Sequence, residues 1–160
     1  MHRTLLALST FLAAGHLGAA DGVGEHPDWP RFGPQVLIGT SGFEPGYMGE
    51  FDFGPSFRLR PEIFLHDWDR PGIGVAGLWR LPVALKDGHD LHIGARLAYH
   101  NGRHNDDPRG ELSAIGIYNL PLPLSAPSVH NLELIAAVGV VDEDGAEPAV
   151  SAGAGYVYRF

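Results

Sequence analysis

Cysteine is absent from this 160-residue chain, and lysine nearly so: Lys86 stands alone among eleven basic side chains. The first absence excludes a disulfide framework, on which small exported domains commonly rely, so the fold needs another means of closure. A closed sheet is one. A net charge of −8 with no cluster of Lys and Arg argues against nucleic acid as a partner, because phosphate binding needs basic patches. The basic residues that remain are arginines, the better choice for crowded ion pairs. Beyond residue 20 no apolar run approaches the ~18 residues of a membrane-spanning helix, and no segment carries a helical period or a solenoid repeat.

What is present begins with MHRTLLALSTFLAAGHLGAA, a positive charge at Arg3, an apolar run, and small residues before Asp21. That layout predicts a cleaved export signal over residues 1–20, an uncleaved amphipathic anchor being the alternative. Residues 21–33, DGVGEHPDWPRFG, lack any period and are expected to lead into a single domain over 34–160. There, strand-like segments lie near 34–43, 47–59, 61–67, 73–85, 89–101, 110–122, 130–142 and 148–160, the short third one being the hardest to define.

Their period is two. In HDLHIGARLAYHN, Leu91, Ile93, Ala95, Leu97 and Tyr99 oppose His92, Gly94, Arg96, Ala98 and His100. Period two does not say which face meets water: a soluble barrel buries the apolar face and a membrane barrel turns it to lipid. Three features favour the second. The polar face is rich in Gly, Ala and Ser, which suit a narrow interior. Links at 60–61 and 86–88 read as short and those at 66–72 and 100–110 as long, the asymmetry of outer-membrane barrels. The chain ends YVYRF. Pro55 and Pro82 fall inside strand-like runs and count against an unbroken ladder. The fold expected is an all-β, eight-stranded antiparallel up-and-down transmembrane β-barrel.

YVYRF, with aromatics at Tyr156, Tyr158 and Phe160, resembles the C-terminal assembly signal of bacterial outer-membrane β-barrel proteins. The resemblance implies an outer-membrane location and recognition by the barrel-assembly machinery, with outer-membrane lipid as the surroundings and a monomeric state. More locally, LHIGARLAYHNGRHNDD is similar, through Gly94, Tyr99, Gly102 and Arg103, to a segment of the MltA-interacting (OmpV-type) outer-membrane proteins, which are usually much longer.

Chemistry is sparse. GIGVAG at 72–77 fits G-x-G-x-x-G on paper but runs on as a strand, so no nucleotide or other cofactor is expected. His100, His104, Asp106 and Asp107 share one loop and offer a metal set, although a solvated loop tip is the plainer reading. Charges on the polar face, Glu50, Asp52, Arg58, Arg60, Arg80, His92, Arg96, Glu133 and Arg159, are expected to fill the lumen as an ion-pair plug, since eight strands leave room for little more than side chains. Glu62 and His100 share that face. The rival is an enzyme. Small barrels of this size resemble lipid A deacylases, whose activity uses a His and a Ser two residues apart on the lipid side with a carboxylate behind them. Ala98-Tyr99-His100-Asn101 does not meet that pattern, and the nearest set is His100, Ser113 and Glu111. A soluble periplasmic ligand-binding barrel is the third reading. The reading adopted is a non-catalytic envelope protein of structural or surface-interaction type.

Overall fold

A computed structural model describes residues 30–86, 88–101, 108–122, 130–142 and 145–159. Eight strands make up most of them: β1 Arg31–Gly39, β2 Gly42–Phe53, β3 Phe57–His66, β4 Arg70–Arg80, β5 Asp90–Asn101, β6 Pro108–Pro121, β7 His130–Asp142 and β8 Ala146–Arg159. Each pairs antiparallel with the next, and β8 returns to pair with β1, closing the barrel. No helix occurs among the described residues.

The alternation read from the sequence sorts the side chains inside against outside. Ile73, Ile93, Leu97, Leu112, Leu134, Val138 and Val150 are exposed. Arg58, Arg60, Glu62, His92, Arg96 and Glu133 are buried, along with Ala76, Leu78, Ile115 and Ile117. The barrel is thus apolar outside and polar over much of its interior, the reverse of a water-soluble sheet protein. Small residues make the interior possible. Phe64 and Glu62 lie in register with Gly72 and Gly74 on the adjacent strand, where a Cβ would come within 2.4 Å and 2.7 Å of them.

The strand limits correct several expectations. β7 occupies 130–142, as its period predicts. β1, however, starts at Arg31 and turns at Thr40 and Ser41 into β2, so one expected segment spans the first hairpin. The expected link at 60–61 is strand: Pro61 lies within β3, and the turn falls at 54–56, where Gly54 has φ +76° and Pro55 lies outside the ladder. β4 stops at Arg80, leaving Pro82 in a link that runs from 81 to 89. The anticipated contrast in link length is therefore not found. Links 54–56, 81–89 and 122–129 lie at the end of the barrel holding Arg31 and Arg159, and 40–41, 67–69, 102–107 and 143–145 at the other. The longest are on the first side.

Prolines inside strands leave gaps in the pairing. The β2–β3 register skips from Met48↔Glu62 to Phe51↔Leu59 around Pro61, and the β1–β8 register skips from Phe32↔Tyr158 to Gln35↔Gly155 around Pro34. A proline has no N–H to give to the ladder. At the second gap the chains approach so closely that a Cβ on Gly33 would stand 1.6 Å from the Tyr156 carbonyl oxygen.

Candidate functional site

The interior is where the charges meet. Near the terminal end, Arg31, Arg58 and Arg60 converge on Glu50 from β1 and β3: Arg31 Nε lies 3.3 Å, Arg58 Nη1 3.1 Å and Arg60 Nη1 3.2 Å from its oxygens. Arg58 Nε donates to Asp52 Oδ1 at 2.7 Å, and Arg31 Nη2 to Asp52 Oδ2 at 2.8 Å. Arg60 Nη1 reaches from β3 to β7, donating to Glu133 Oε2 at 2.5 Å. Toward the other end, Arg96 on β5 donates to three carboxylates. These are Glu62 at 2.6 Å, Glu44 at 2.9 Å and Glu111 at 3.1 Å. Its guanidinium also lies 5.2 Å from the centre of the Phe64 ring.

Gln35 joins the two groups, since its oxygen accepts from Arg60 Nη2 at 2.7 Å and its amide donates to Glu62. Beyond Arg96, Glu44 lies 3.1 Å from His66 Nδ1, and the His66 ring stacks on His100 at 4.1 Å with 4° between planes. Arg70 closes that end, donating to Asp67 in the turn between β3 and β4. The contacts form one connected network from Asp52 near one mouth to Asp67 near the other. Arginine suits such a place, because its charge is permanent and its flat fork serves two or three carboxylate oxygens at once.

Among solved structures the chain is similar to a de novo designed transmembrane β-barrel, at 15% identity and TM-score 0.53, over 83% of this chain and 98% of that one. A second designed barrel, TMB2.3, solved by solution NMR, aligns at 10% identity and TM-score 0.54 over 83% of this chain and 94% of its own. The fold is that of a transmembrane β-barrel. No protein-family model matches the sequence, and no curated protein matches it. The likeness to OmpV-type proteins thus has no family match behind it. Gly94 and Tyr99 lie on β5, while Gly102 and Arg103 are outside the described residues.

Of the residues expected to fill the barrel, Glu50, Arg58, Arg60, His92, Arg96 and Glu133 are buried in it, and Asp52 is partly buried near one mouth. Arg80 shares their face, since it pairs with His92, but sits exposed at the rim. Arg159 pairs through its backbone with Arg31, and its side chain is outside the described residues. The sequence reading missed Arg31, Gln35, Glu44, His66, Arg70 and Asn119. Arg31 falls in the expected lead-in, and Gln35 and Glu44 are separated by the turn at Thr40 and Ser41, which lies inside an expected strand. Their signal is parity with the partner strand: Arg31 registers with Glu50 and Glu44 with Leu37, both inward-facing.

The catalytic set does not assemble. His100 registers with Arg109, Glu111 with Ala98 and Ser113 with Arg96, so Ser113 lies four residues along the strand from the position opposite His100. At the strand rise that is ~13 Å. All three are buried in the interior rather than on the outer face, and Glu111 is taken by Arg96. Ser113 Oγ has no hydrogen-bond partner among the described residues. Of the suggested metal set only His100 is described; His104, Asp106 and Asp107 lie outside the described residues. GIGVAG lies within β4 as an ordinary strand. Tyr156 and Tyr158 pair with Leu132 and His130 on β7, Tyr158 also with Phe32 on β1, and Phe160 is outside the described residues.

Proposed function

We propose that this chain is a Gram-negative outer-membrane protein. Residues 1–20 direct export and are removed, and the barrel folds into the outer membrane as a monomer. Recognition by the assembly machinery runs through the last strand, with Tyr156, Tyr158 and Phe160. Its role is non-catalytic, structural or surface-interacting, with the links near 66–72, 100–110 and 141–148 turned outward and the lumen closed by charged side chains.

The observation that carries this reading is the pair of cross-lumen contacts, Arg60 to Glu133 and Arg96 to Glu44. Each spans between strands that are not neighbours, so the network ties wall to wall instead of lining an open bore. An interior held this way supports a scaffold, because passage would break several buried ion pairs together. The outer face supports a lipid environment, since a continuous apolar surface of this extent is unfavourable in water.

The test is electrophoresis of the outer-membrane fraction with and without boiling, followed by planar-bilayer recording. A closed barrel resists detergent until heated, because it has no free edge from which to unzip. A heat-dependent mobility shift together with no steady conductance is expected. Recovery of the protein as one unshifted band in the soluble periplasmic fraction ends the membrane reading, and a steady conductance ends the closed-lumen reading.

A further inference from the structure

The mouth at the terminal end holds a cavity of about 430 Å³ among Arg31, Asp52, Arg58, Arg80, Asp90 and His92. Three guanidinium groups face two carboxylates there, with the imidazole as a further polar group. We propose that this mouth is a binding site for a phosphate-type oxyanion, gripped by Arg80 and by the unspent donors of Arg31 and Arg58.

Donor accounting carries the assignment. Asp52 is occupied by Arg31 Nη2 and Arg58 Nε, and Asp90 by Asn119 and His92 Nδ1. Glu50, deeper in, takes Arg31 Nε and Arg58 Nη1. Among the described residues this leaves Arg31 Nη1 and Arg58 Nη2 with no acceptor, yet neither belongs to the sealed-off unpaired atoms of the interior. Both arginines line the cavity. The Arg80 side chain has no hydrogen bond or ion pair to any described residue, although its backbone N–H is fixed to the Ser56 carbonyl at 2.8 Å. So the two inner arginines are held in place by carboxylates, while the third, exposed at the rim, has no such brace among the described residues.

A guanidinium fork matches the oxygens of phosphate in pairs, and donors fixed beforehand lose little freedom when they bind. The carboxylates do not cancel the site, because Asp52 is the brace that aims Arg31 and Arg58, and Asp90 is already bonded to Asn119 and His92. The phosphate group has two sources, a free phosphate or phosphate ester and the headgroup of an anionic phospholipid at the adjacent membrane surface. The inference rests on the barrel and this mouth, not on any cellular location.

The experiment uses the full folded chain in nonionic detergent, with its heat-dependent gel shift as the folding control. Inorganic phosphate is titrated calorimetrically at fixed ionic strength, with chloride as the competing anion. Saturable binding of one phosphate is expected, weakened about tenfold by Arg80→Gln and less by Arg80→Lys. In a second arm, native mass spectrometry follows the barrel in micelles doped with phosphatidylglycerol or phosphatidylcholine. Retention of one phosphatidylglycerol, lost on Arg80→Gln, assigns the site to a lipid headgroup; phosphate binding without lipid retention assigns it to a free oxyanion. The proposal is overturned by absence of both signals, or by binding that Arg80→Gln leaves unchanged or that chloride displaces as readily as phosphate. Since the gel shift reports the barrel separately, a failed titration on a shifting barrel removes this site and leaves the proposed function intact.

Discussion

The interior has two unlike walls. On β2 and β3 it is mostly charged, with Glu44, Glu50, Arg58, Arg60, Glu62 and His66 all buried and Met48 and Phe64 among them. On β6 and β7, across the barrel, it is largely apolar, with Ile115, Ile117, Ile135 and Ala137 in one cluster with Leu37, Ala76 and Leu78. The exceptions on the apolar side are instructive. Glu133 and Glu111 stand on that wall, and each meets a guanidinium from elsewhere, Arg60 or Arg96. One wall fills space by shape, the other by pairing, and the two are joined where a carboxylate on the first completes the second. The walls should therefore fail differently: a shape-filled wall loses stability in proportion to volume removed, whereas a paired one fails when a single partner leaves its counter-charge buried.

Arg60→Met is the strongest test of the paired wall. It leaves Glu133 with no guanidinium and strips one of three from Glu50. A loss of ~3–5 kcal/mol is expected in urea unfolding of the barrel in lipid vesicles. Adding Glu133→Leu should recover much of that loss, because an apolar pair of similar size avoids the buried charge. A double variant no more stable than Arg60→Met would mean that the network is not held by pairwise charge.

On the outer face, Val138 is 59% exposed. Val138→Arg should cost ~2–4 kcal/mol if it faces the middle of a bilayer. A surface in water would tolerate the change within about 0.5 kcal/mol, so the same unfolding measurement separates the two surroundings. Ile117, by contrast, is fully buried on the shape-filled wall. Removing one methylene with Ile117→Val should cost ~0.5–1.5 kcal/mol, with no change in the folded gel band. A loss as large as that of Arg60→Met would erase the distinction between the walls.

How much of this was legible follows from the same geometry. The segment 130–142 showed its limits because polar and turn-forming residues bound it on both sides. The hairpin of β2 and β3 hid its turn for a physical reason. Directly opposed residues share a face, and a turn over 54–56 returns Phe57 opposite Phe53 and Leu59 opposite Phe51. The odd number of turn residues keeps the parity, so the alternation runs on through Gly54 and Pro55 as though no turn were there. Only the turn chemistry marks the bend, Gly at positive φ followed by Pro. The inward face of Glu50, Arg58, Arg60, Arg96 and Glu133 was readable from the period, whereas their partners were not. Arg60 and Glu133 are separated by most of the barrel in sequence, and nothing local to either predicts that they touch.

Ser113 brings the smallest effect and settles a question of chemistry along with it. It lies opposite Arg96 on the inner face, buried, with an Oγ that has no partner among the described residues. A buried hydroxyl without a hydrogen bond costs about 1–3 kcal/mol relative to one that is paired. Ser113→Ala removes the hydroxyl and adds no bulk, so the variant should be as stable as the parent or gain up to about 1 kcal/mol. A nucleophile would behave otherwise. If Ser113 attacked an acyl group, the same substitution would leave folding intact and abolish a change in the lipid A mass spectrum of cells expressing the protein. The expected result is an unchanged unfolding midpoint, or one shifted slightly upward, with lipid A spectra identical for parent, variant and empty cells. A lipid A species that appears with the parent and disappears with Ser113→Ala would make the apolar wall a reaction surface, and the contrast between shape and pairing would no longer describe this interior.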